Sequence, residues 1–367
     1  MSFRGHIDCF GFSSLRRRYF TLFKAREHFL KNSKDNKLYN SPMSVSCGIV
    51  GLPNSGKSTL FNALLKKQIA QVAEYPYTTI EPNVGVVEVP DERLDKLAEV
   101  ISGNPSTHSV NTQGRTEWNR STTSLRTDKP KVVPAAIKFI DIAGLIKGAH
   151  QGEGLGNQFL AHIREVDAIL HVVRAFDPSA SSGQVIPHVM HDINPVRDIE
   201  VVNLELELGG IKKPTIYVLN VSESDLTRDF GVPFTYIKVC AKLEFELADL
   251  SDAEQKQYQK ALGVEKLGLE QVIGKSYQLL NLITFFTIAG GKMVQAWPVK
   301  AGTEMIEVAG IVHSDMERGF IAAEVCDWQK LTEVGSWLAA RASGLIKTCG
   351  RDEKVVDGLV VEFKFSV

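Results

Sequence analysis

The sequence predicts an α/β domain with a mainly parallel sheet, followed by a smaller α+β domain. From Val45 onward, short segments rich in β-formers alternate with helical segments, a pattern that places helices on both faces of a largely parallel sheet. After Thr284 the chain changes to short strands broken by glycine and turns. A glycine-containing segment also follows the first strand directly, at the edge where parallel sheets bind ligands.

The elements of the first domain alternate in a regular order. In chain order they are "VSCGIVG", a helix after Lys57, "NVGVVEV", the helix "DERLDKLAEVI", "AIKFIDI", a helix near Gln158, "AILHVV", the amphipathic "VRDIEVVNLELEL", "PTIYVLN" and "FTYIKVC". The helical stretches "DAEQKQYQKALG" and "LGLEQVIGKSYQLLNLI" complete it. We assign residues 43–282 to this domain.

Residues 283–367 form the second predicted domain, a sheet covered on one face by a helix. Its predicted strands are "FFTIAG", "KMVQAWPV", "IEVAGIVH", "FIAAEVC" and "GLVVEFKFSV", and its predicted helix is "WQKLTEVGSWLAARAS".

Two further segments differ from both domains. Residues 1–42 are rich in arginine, lysine and aromatics, which is typical of an organelle transit peptide; a second start at Met43 equally favours a non-structural leader. Residues 102–130 are rich in serine, threonine and asparagine with little apolar periodicity, which predicts a disordered insertion.

Composition excludes several classes of protein. The net charge of −1 gives no global attraction to nucleic acid, so any such contact requires a local basic patch. The cysteines never form C-x-x-C, which argues against a zinc knuckle and favours a reducing compartment. No apolar run is long enough to span a membrane, so we expect a cytoplasmic protein, or a mitochondrial or plastid one if residues 1–42 direct import.

The segment from Gly51 to Ser58, "GLPNSGKS", matches the phosphate-loop pattern G-x-x-x-x-G-K-[ST]. In such a loop the glycines let backbone N–H groups converge on phosphate oxygens, the lysine adds positive charge and the serine holds Mg²⁺. The structural alternative is an ordinary strand-to-helix turn. The residues predicted to bind nucleotide here are Asn54, Ser55, Gly56, Lys57, Ser58 and Thr59.

Two later segments complete the predicted phosphate site. In "FIDIAG", Asp141 ends a strand where a carboxylate reaches Mg²⁺, and Gly144 can present its N–H to the γ-phosphate. In "YPYTTIEPN", the hydroxyl of Thr79 is predicted to bind Mg²⁺, with Thr78 as the neighbouring candidate. Loops that order around a γ-phosphate and relax after hydrolysis define a nucleotide switch.

The strand "PTIYVLN" ends in Asn220, at the position from which base recognition is expected. A guanine-specific switch usually carries N-K-x-D there. Both the lysine and the aspartate are absent, since the chain reads Asn220-Val221-Ser222-Glu223.

These motifs resemble those of the Obg-like ATPase family, also called YchF, of P-loop NTPases. The resemblance covers most of the chain after Met43 and is carried by "GLPNSGKSTLFNAL", "YPYTTIEPNVGVV", "DIAGLIKGAHQGEGLGNQFLAHIREVDAILHVVRAF", "PVRDIEVVNLELEL", "NVSE" and nearly all of 283–367. It implies a preference for ATP over GTP, with Asn220, Val221 and Glu223 at the base. It also implies that the second domain is a β-grasp (TGS) domain.

The resemblance bears on hydrolysis as well. Leu145 stands where Ras-like switches place a water-orienting glutamine, and the family likewise carries a hydrophobic residue there. It implies His188 as the catalytic group, although a solvated loop histidine, as for His191, is the alternative reading. Asn54 either helps K⁺ approach the phosphates or only shapes the loop.

The chain departs from the family pattern after "DIEVVNLELEL". A long antiparallel helical arm is expected before the strand that ends at Asn220, but Gly209-Gly210-Ile211-Lys212-Lys213 joins the two directly. The coiled-coil arm is therefore predicted to be absent, and its loss is expected to expose apolar surface.

The function that this sequence predicts is a slow Mg²⁺-dependent ATPase switch. By resemblance its partner is the ribosome or structured RNA, and its role translational or stress-linked regulation; the oligomeric state is not indicated. The alternatives are an Obg-type GTPase and a nucleotide-sensing or RNA-binding module that does not turn over.

Overall fold

The computed structural model describes residues 45–71, 83–102, 130–142, 155–177 and 192–366. Met43–Val367 group as one compact unit. The extension 1–42 and residues 103–129 of the insertion lie outside the described residues, and Ser102, assigned to the insertion, is the last residue of a helix. Within the described ranges, no helix combines the length and hydropathy that a membrane span requires.

The strands are β1 (Ser46–Val50), β2 (Val84–Glu88), β3 (Lys131–Val133), β4 (Ala136–Asp141), β5 (Ala168–Ala175), β6 (Thr215–Val221), β7 (Tyr236–Val239), β8 (Leu282–Ala289), β9 (Met293–Lys300), β10 (Phe320–Asp327), β11 (Lys347–Cys349) and β12 (Leu359–Phe365). The α-helices are α1 (Lys57–Gln71), α2 (Glu92–Ser102), α3 (Leu155–Glu165), α4 (Pro195–Leu208), α5 (Ala241–Leu247), α6 (Asp252–Ala261), α7 (Gly268–Leu279), α8 (Met305–Val312), α9 (Ser314–Arg318), α10 (Trp328–Val334) and α11 (Trp337–Ala342).

The first sheet has the strand order β2-β4-β1-β5-β6-β7. Only β2 runs antiparallel to its neighbour, so the predicted mainly parallel sheet is confirmed for the described strands. Every residue of β1 and β5 is buried, as expected for central strands covered on both faces. Leu60, Leu64 and Val272 bring α1 and α7 onto one face, while Ile163 and Val202 bring α3 and α4 onto the other.

The second sheet has the order β11-β10-β12-β8-β9-β3. Its last strand comes from the part of the chain that the sequence assigned to the first domain. Both faces of this sheet are covered, rather than the one that was predicted. Met305 and Val308 of α8 pack on one face, and Leu97 of α2, Leu331 of α10 and Ala340 of α11 pack on the other.

Two secondary-structure predictions in this region were wrong. The segment "IEVAGIVH" was expected to be a strand, but it forms α8, because Met305, Val308 and Ala309 recur at helical spacing and all face the sheet. The predicted helix "WQKLTEVGSWLAARAS" is two helices, α10 and α11, because Gly335 adopts a left-handed φ of 77° that ends the first.

The direct connection from α4 to β6 is a well-formed helix ending. Gly210 has a φ of 67°, its N–H donates to Glu207 O at 2.9 Å, and Ile211 N–H donates to Leu206 O at 2.8 Å. This pair of hydrogen bonds defines a Schellman motif, and burial of Ile211 beside Leu206 supplies its hydrophobic contact. No helical insertion lies between α4 and β6, all of whose linking residues are described.

The junction is also held from α3. The Arg164 guanidinium donates to Gly209 O at 3.0 Å, and Lys213 Nζ donates to Arg164 O at 2.7 Å. Apolar exposure was expected beside it, and Leu204 and Leu208 of α4 are 55% and 54% exposed. The first domain thus closes at this junction, and the exposed Leu204 and Leu208 form a small apolar stripe on α4.

We predict that Gly210→Ala lowers the free energy of unfolding by roughly 1 kcal/mol, because an L-residue is disfavoured at this left-handed φ. A Cβ at Gly210 would meet no atom within 4 Å, so the effect isolates backbone conformation. Gly274→Ala is the matched control: Gly274 is an exposed position within α7, where alanine is expected to be neutral or stabilising. Urea unfolding of both variants measures the difference, and equal effects would contradict the motif.

Candidate nucleotide-binding site

The loop from Gly51 to Gly56 runs from the end of β1 to the start of α1. Its shape depends on the absence of side chains at both ends. A Cβ on Gly51 would lie 2.2 Å from Val172 O, and a Cβ on Gly56 would lie 2.1 Å from Asn220 Nδ2. Asn54, with a φ of 63°, occupies the left-handed region that asparagine tolerates better than most residues.

The side chain of Asn220 connects this loop to the end of the neighbouring strands. Its Nδ2 donates to Ser55 O at 3.0 Å, and its Oδ1 accepts from Ala241 N–H at 3.1 Å. Both bonds are buried, where an unpaired polar group is costly. Asn220 therefore positions the loop against the first turn of α5, a role that sequence analysis did not assign to it.

Lys57 lies inside the loop, only 8% exposed, and its Nζ donates to Leu52 O at 2.9 Å. Burial lowers the pKa of this ammonium, and the nearby Asp141 carboxylate partly opposes the change. A buried positive charge held by a loop carbonyl is placed to bind an anion that approaches the loop.

Ser58 and Asp141, the two predicted Mg²⁺ ligands among the described residues, lie next to each other. Ser58 Oγ donates to Asp141 Oδ2 at 2.9 Å, joining the start of α1 to the end of β4. Burial raises the pKa of Asp141, while the Ser58 hydrogen bond and the Lys57 charge oppose that shift. A hydroxyl and a carboxylate are hard oxygen donors, which fits Mg²⁺ held by few protein groups together with phosphate oxygens.

The residues predicted to contact the base lie at the end of β6 and directly after it. Val221 is buried, whereas Glu223 is exposed at the start of a 3₁₀ turn, Glu223–Asp225. Burial raises the pKa of the Cys240 thiol, and the Glu223 charge makes a smaller contribution in the same direction. Contact of Asn220, Val221 and Glu223 with adenine stays a prediction.

Several predicted residues lie outside the described residues, namely Thr78, Thr79, Gly144, Leu145, His188 and His191. Of the remaining loop residues, Asn54 and Thr59 are exposed and Ser55 is buried. The Ser55 hydroxyl has no hydrogen-bond partner among the described residues. The structure thus assembles the phosphate loop, Asp141 and the strand end at Asn220, while the predicted switch residues stay untested.

Sequence analysis missed His171, which is completely buried in the middle of β5. Burial lowers the pKa of its imidazole to about 3, and the Lys57 charge adds to that effect. The ring lies 5.6 Å from the Tyr217 ring between centroids, and neither ring nitrogen has a hydrogen-bond partner in the described ranges. A neutral imidazole behind the loop avoids adding a second positive charge beside Lys57. A histidine within "AILHVV" gives little signal of this position.

A phosphate loop after β1, a carboxylate at the end of β4 and an asparagine at the end of β6 define a P-loop domain of the GTPase type. Residues 46–221 match the family model described as 50S ribosome-binding GTPase. Residues 282–366 match the model for the C-terminal domain of YchF GTPases, which is described as a protein of unknown function.

The chain is similar to bacterial YchF proteins over almost all of their length. The ribosome-binding ATPase YchF of Bacillus subtilis is 38% identical over 399 residues, covering 89% of this chain and 100% of that protein. The Haemophilus influenzae protein of the same name is 37% identical over 397 residues, with the same coverage. The structure of the Schizosaccharomyces pombe YchF GTPase is 29% identical, with a TM-score of 0.67 over 88% of this chain and 98% of that chain. The chain belongs to the YchF family.

We predict that Gly56→Ala lowers the free energy of unfolding by about 2 kcal/mol, because the new methyl group displaces the Asn220 amide and because an L-residue is disfavoured at the φ of 94°. Asn220→Ala alone is also destabilising, since it leaves Ser55 O and Ala241 N–H unpaired. In the double variant the two losses should not add, because the alanine at 220 removes the atom that the methyl group meets.

Chemical unfolding of the wild type, both single variants and the double variant completes the cycle. The matched control is Gly56→Ala combined with Asn203→Ala, a substitution on α4 whose amide contacts Tyr217 rather than the loop. Strict additivity of the Gly56 and Asn220 effects would contradict the proposed role of the asparagine.

Proposed function

We propose that this chain is a Mg²⁺-dependent switch protein that binds ATP and hydrolyses it slowly. The observation that carries the proposal is the hydrogen bond between Ser58 and Asp141 at the mouth of a loop that already holds the Lys57 ammonium. Ser58 and Asp141 supply two oxygen donors for Mg²⁺, and Lys57 supplies a cation for the phosphates of a bound nucleoside triphosphate.

The roles of the residues follow from their positions. Lys57 offers positive charge to the terminal phosphates. The loop N–H groups bind phosphate oxygens, and the glycines at both ends of the loop carry no side chain that would block them. Ser58 and Asp141 would hold Mg²⁺, which when bound neutralises phosphate charge and orients the phosphate oxygens. The proposal includes Thr79 as a further ligand, Gly144 as a γ-phosphate donor and His188 as the group that orients water.

Preference for ATP over GTP is part of the proposal and rests on the segment from Asn220 to Glu223. The lysine and aspartate of N-K-x-D, which select guanine, are absent there. The names of the relatives differ on this point, since the bacterial proteins are called ATPases and the fission-yeast protein of known structure a GTPase. An Obg-type GTPase is therefore the alternative to this proposal, and the nucleotide titration described below distinguishes the two.

We propose a ribosomal partner because the bacterial relatives are named ribosome-binding. The second sheet supports assignment of residues 282–366 to a TGS-type β-grasp domain, since β9-β8-β12-β10-β11 is a mixed sheet with α8 connecting β9 to β10.

A strongly basic RNA-binding face receives less support from the charges of this domain. The candidate cations are Lys292, Lys300, Arg318, Lys330, Arg341, Lys347 and Arg351. Carboxylates pair with three of them, as Lys300 meets Asp167, Arg318 meets Asp315 and Arg341 meets Glu324. Such pairing reduces the net positive charge available to phosphates.

We predict that the purified chain hydrolyses ATP only with Mg²⁺, and that Lys57→Ala and Ser58→Ala each abolish this activity. Each substitution removes a phosphate or metal contact that the loop backbone cannot replace. Single-turnover hydrolysis measures the effect, with Lys256→Ala on the exposed side of α6 as the lysine control. Normal turnover in both loop variants would place the active site elsewhere.

Titration with fluorescent nucleotide analogues decides the base. Tenfold tighter binding of GTP, about 1.4 kcal/mol, would replace the ATPase proposal by the GTPase alternative. His188→Ala tests only the role of that histidine: ATP affinity should persist while turnover falls, and unchanged turnover would leave His188 a solvated loop residue. Single-turnover hydrolysis by the unaltered chain separates an enzyme from a sensor. Binding without any turnover in the unaltered chain would favour a nucleotide sensor.

We predict that the full chain co-sediments with ribosomes, and that the fraction bound falls steeply with salt if phosphate contacts dominate. The full chain is required because α2 and β3 complete the second sheet, so residues 283–367 alone would lack an edge strand and part of one apolar face. Sedimentation at low and high salt, with and without a non-hydrolysable ATP analogue, measures it. Absence of co-sedimentation at low salt would favour a protein partner.

A further inference from the structure

The antiparallel pair formed by β2 and β4 has one end at the proposed phosphate site. Asp141, the proposed Mg²⁺ ligand, ends β4, and its N–H donates to Asn83 O at 2.8 Å. The two strands pair antiparallel from Val84 opposite Ile140 to Glu88 opposite Ala136. At the far end, Val89 N–H donates to Ala135 O at 2.8 Å and closes the ladder. The β2–β4 pair is therefore hydrogen-bonded along its whole length, from Asp141, the proposed metal ligand, to Val89 and Ala135.

Both chain segments that leave this far end are built into the second sheet. On the β4 side, only Pro134 and Ala135 separate β4 from β3. Strand β3 pairs in parallel with β9 from Lys131 opposite Met293 to Val133 opposite Gln295, and Lys131 N–H donates to Lys292 O at 2.8 Å. A displacement of β4 along its axis is therefore passed to the edge of the second sheet through a very short connection.

On the β2 side, the chain continues into α2, whose Leu94 and Leu97 are 3% and 0% exposed. They pack against Phe286 of β8 and Leu331 of α10. Burial of both leucines fixes α2 on the sheet, since exposing a buried leucine costs about 2 kcal/mol. Both segments are therefore joined to the second sheet, one by strand pairing and the other by apolar packing.

A charged contact fixes the start of α2. Arg93 donates to Asp91 Oδ2 at 2.7 Å and to Asp357 Oδ2 at 2.6 Å. The other carboxylate oxygen of Asp357 accepts from Thr284 N–H at 2.8 Å, within β8. The Arg93 guanidinium also lies 5.1 Å from the centroid of the Phe286 ring. Asp357 thus joins the first turn of α2 to the second sheet, and we call this contact the Arg93–Asp357 clasp.

We propose that the antiparallel β2–β4 pair, with α2, β3 and the Arg93–Asp357 clasp, couples nucleotide occupancy at Asp141 to the second domain. The inference rests on the proposed function, because it assigns the regulation of that same site. Since the β2–β4 pair is hydrogen-bonded along its length and its far end is joined to the second sheet, a change at Asn83 and Asp141 would be passed to that sheet. Linkage is reciprocal, so a change at the clasp must also alter nucleotide affinity.

The first measurement is amide hydrogen exchange of the full chain with and without Mg²⁺ and a non-hydrolysable ATP analogue. Coupling predicts that bound nucleotide slows amide exchange of Lys131–Val133 and Thr284 by about threefold or more. A threefold change in exchange rate corresponds to a threefold coupling between nucleotide binding and opening of these amides. The β10–β11 pair, at the opposite edge of the same sheet, serves as the internal control. Unchanged exchange in β3 and at Thr284, with nucleotide bound, would overturn the proposal.

The second measurement uses Asp357→Asn, which keeps an acceptor for Thr284 N–H but removes the charge that holds Arg93. The Asp357 side chain is 52% exposed, so the variant is expected to fold. We expect its dissociation constant for the ATP analogue to differ from that of the unaltered chain by about threefold or more, and protection of β3 to decrease. Arg318→Ala, which breaks the pair with Asp315 on α9, is the matched control and should change neither quantity.

The failures are distinguishable. If no nucleotide binds to the unaltered chain, the proposed function fails and the coupling with it. If nucleotide binds and is hydrolysed while Asp357→Asn behaves as Arg318→Ala, only the coupling fails.

Discussion

The phosphate site depends on the pair of hydrogen bonds made by the Asn220 side chain. One bond reaches the loop at Ser55 O and the other reaches the first N–H of α5, so a single buried amide sets the distance between them. This arrangement explains why residue 56 has no side chain, because the amide occupies the space of its Cβ. With the loop fixed from behind, Lys57 and Ser58 project from a rigid turn toward Asp141.

The two domains are less separate than their sequence textures indicate. The connection between β2 and β4 leaves the first sheet, contributes a helix and an edge strand to the second, and returns. Because α2 shares one face of the second sheet with α10 and α11, the apolar core of the second domain includes residues of the first. Relative movement of the domains would have to break the parallel pairing of β3 with β9 as well as expose leucines.

The junction between α4 and β6 shows how a nucleotide domain closes without a helical arm. Gly210 reverses the chain at a left-handed φ, Ile211 covers the end of the helix, and Arg164 and Lys213 link the turn to α3. Every one of these contacts is local or with an adjacent helix. The remaining consequence is the exposure of Leu204 and Leu208 on α4, which lies beside the junction rather than beside the phosphate loop.

The phosphate loop, the strand that ends at Asp141 and the alternation of strands and helices could be predicted from the sequence, because each depends on residues close together in the chain. The sequence also determined the family, since its motifs are contiguous. Only the tertiary structure decided that Asn220 holds the loop, that His171 lies neutral behind Lys57, that "IEVAGIVH" is a helix and that β3 joins the second sheet. Each of these depends on packing or pairing with residues distant in sequence, and burial against such partners outweighs local propensity.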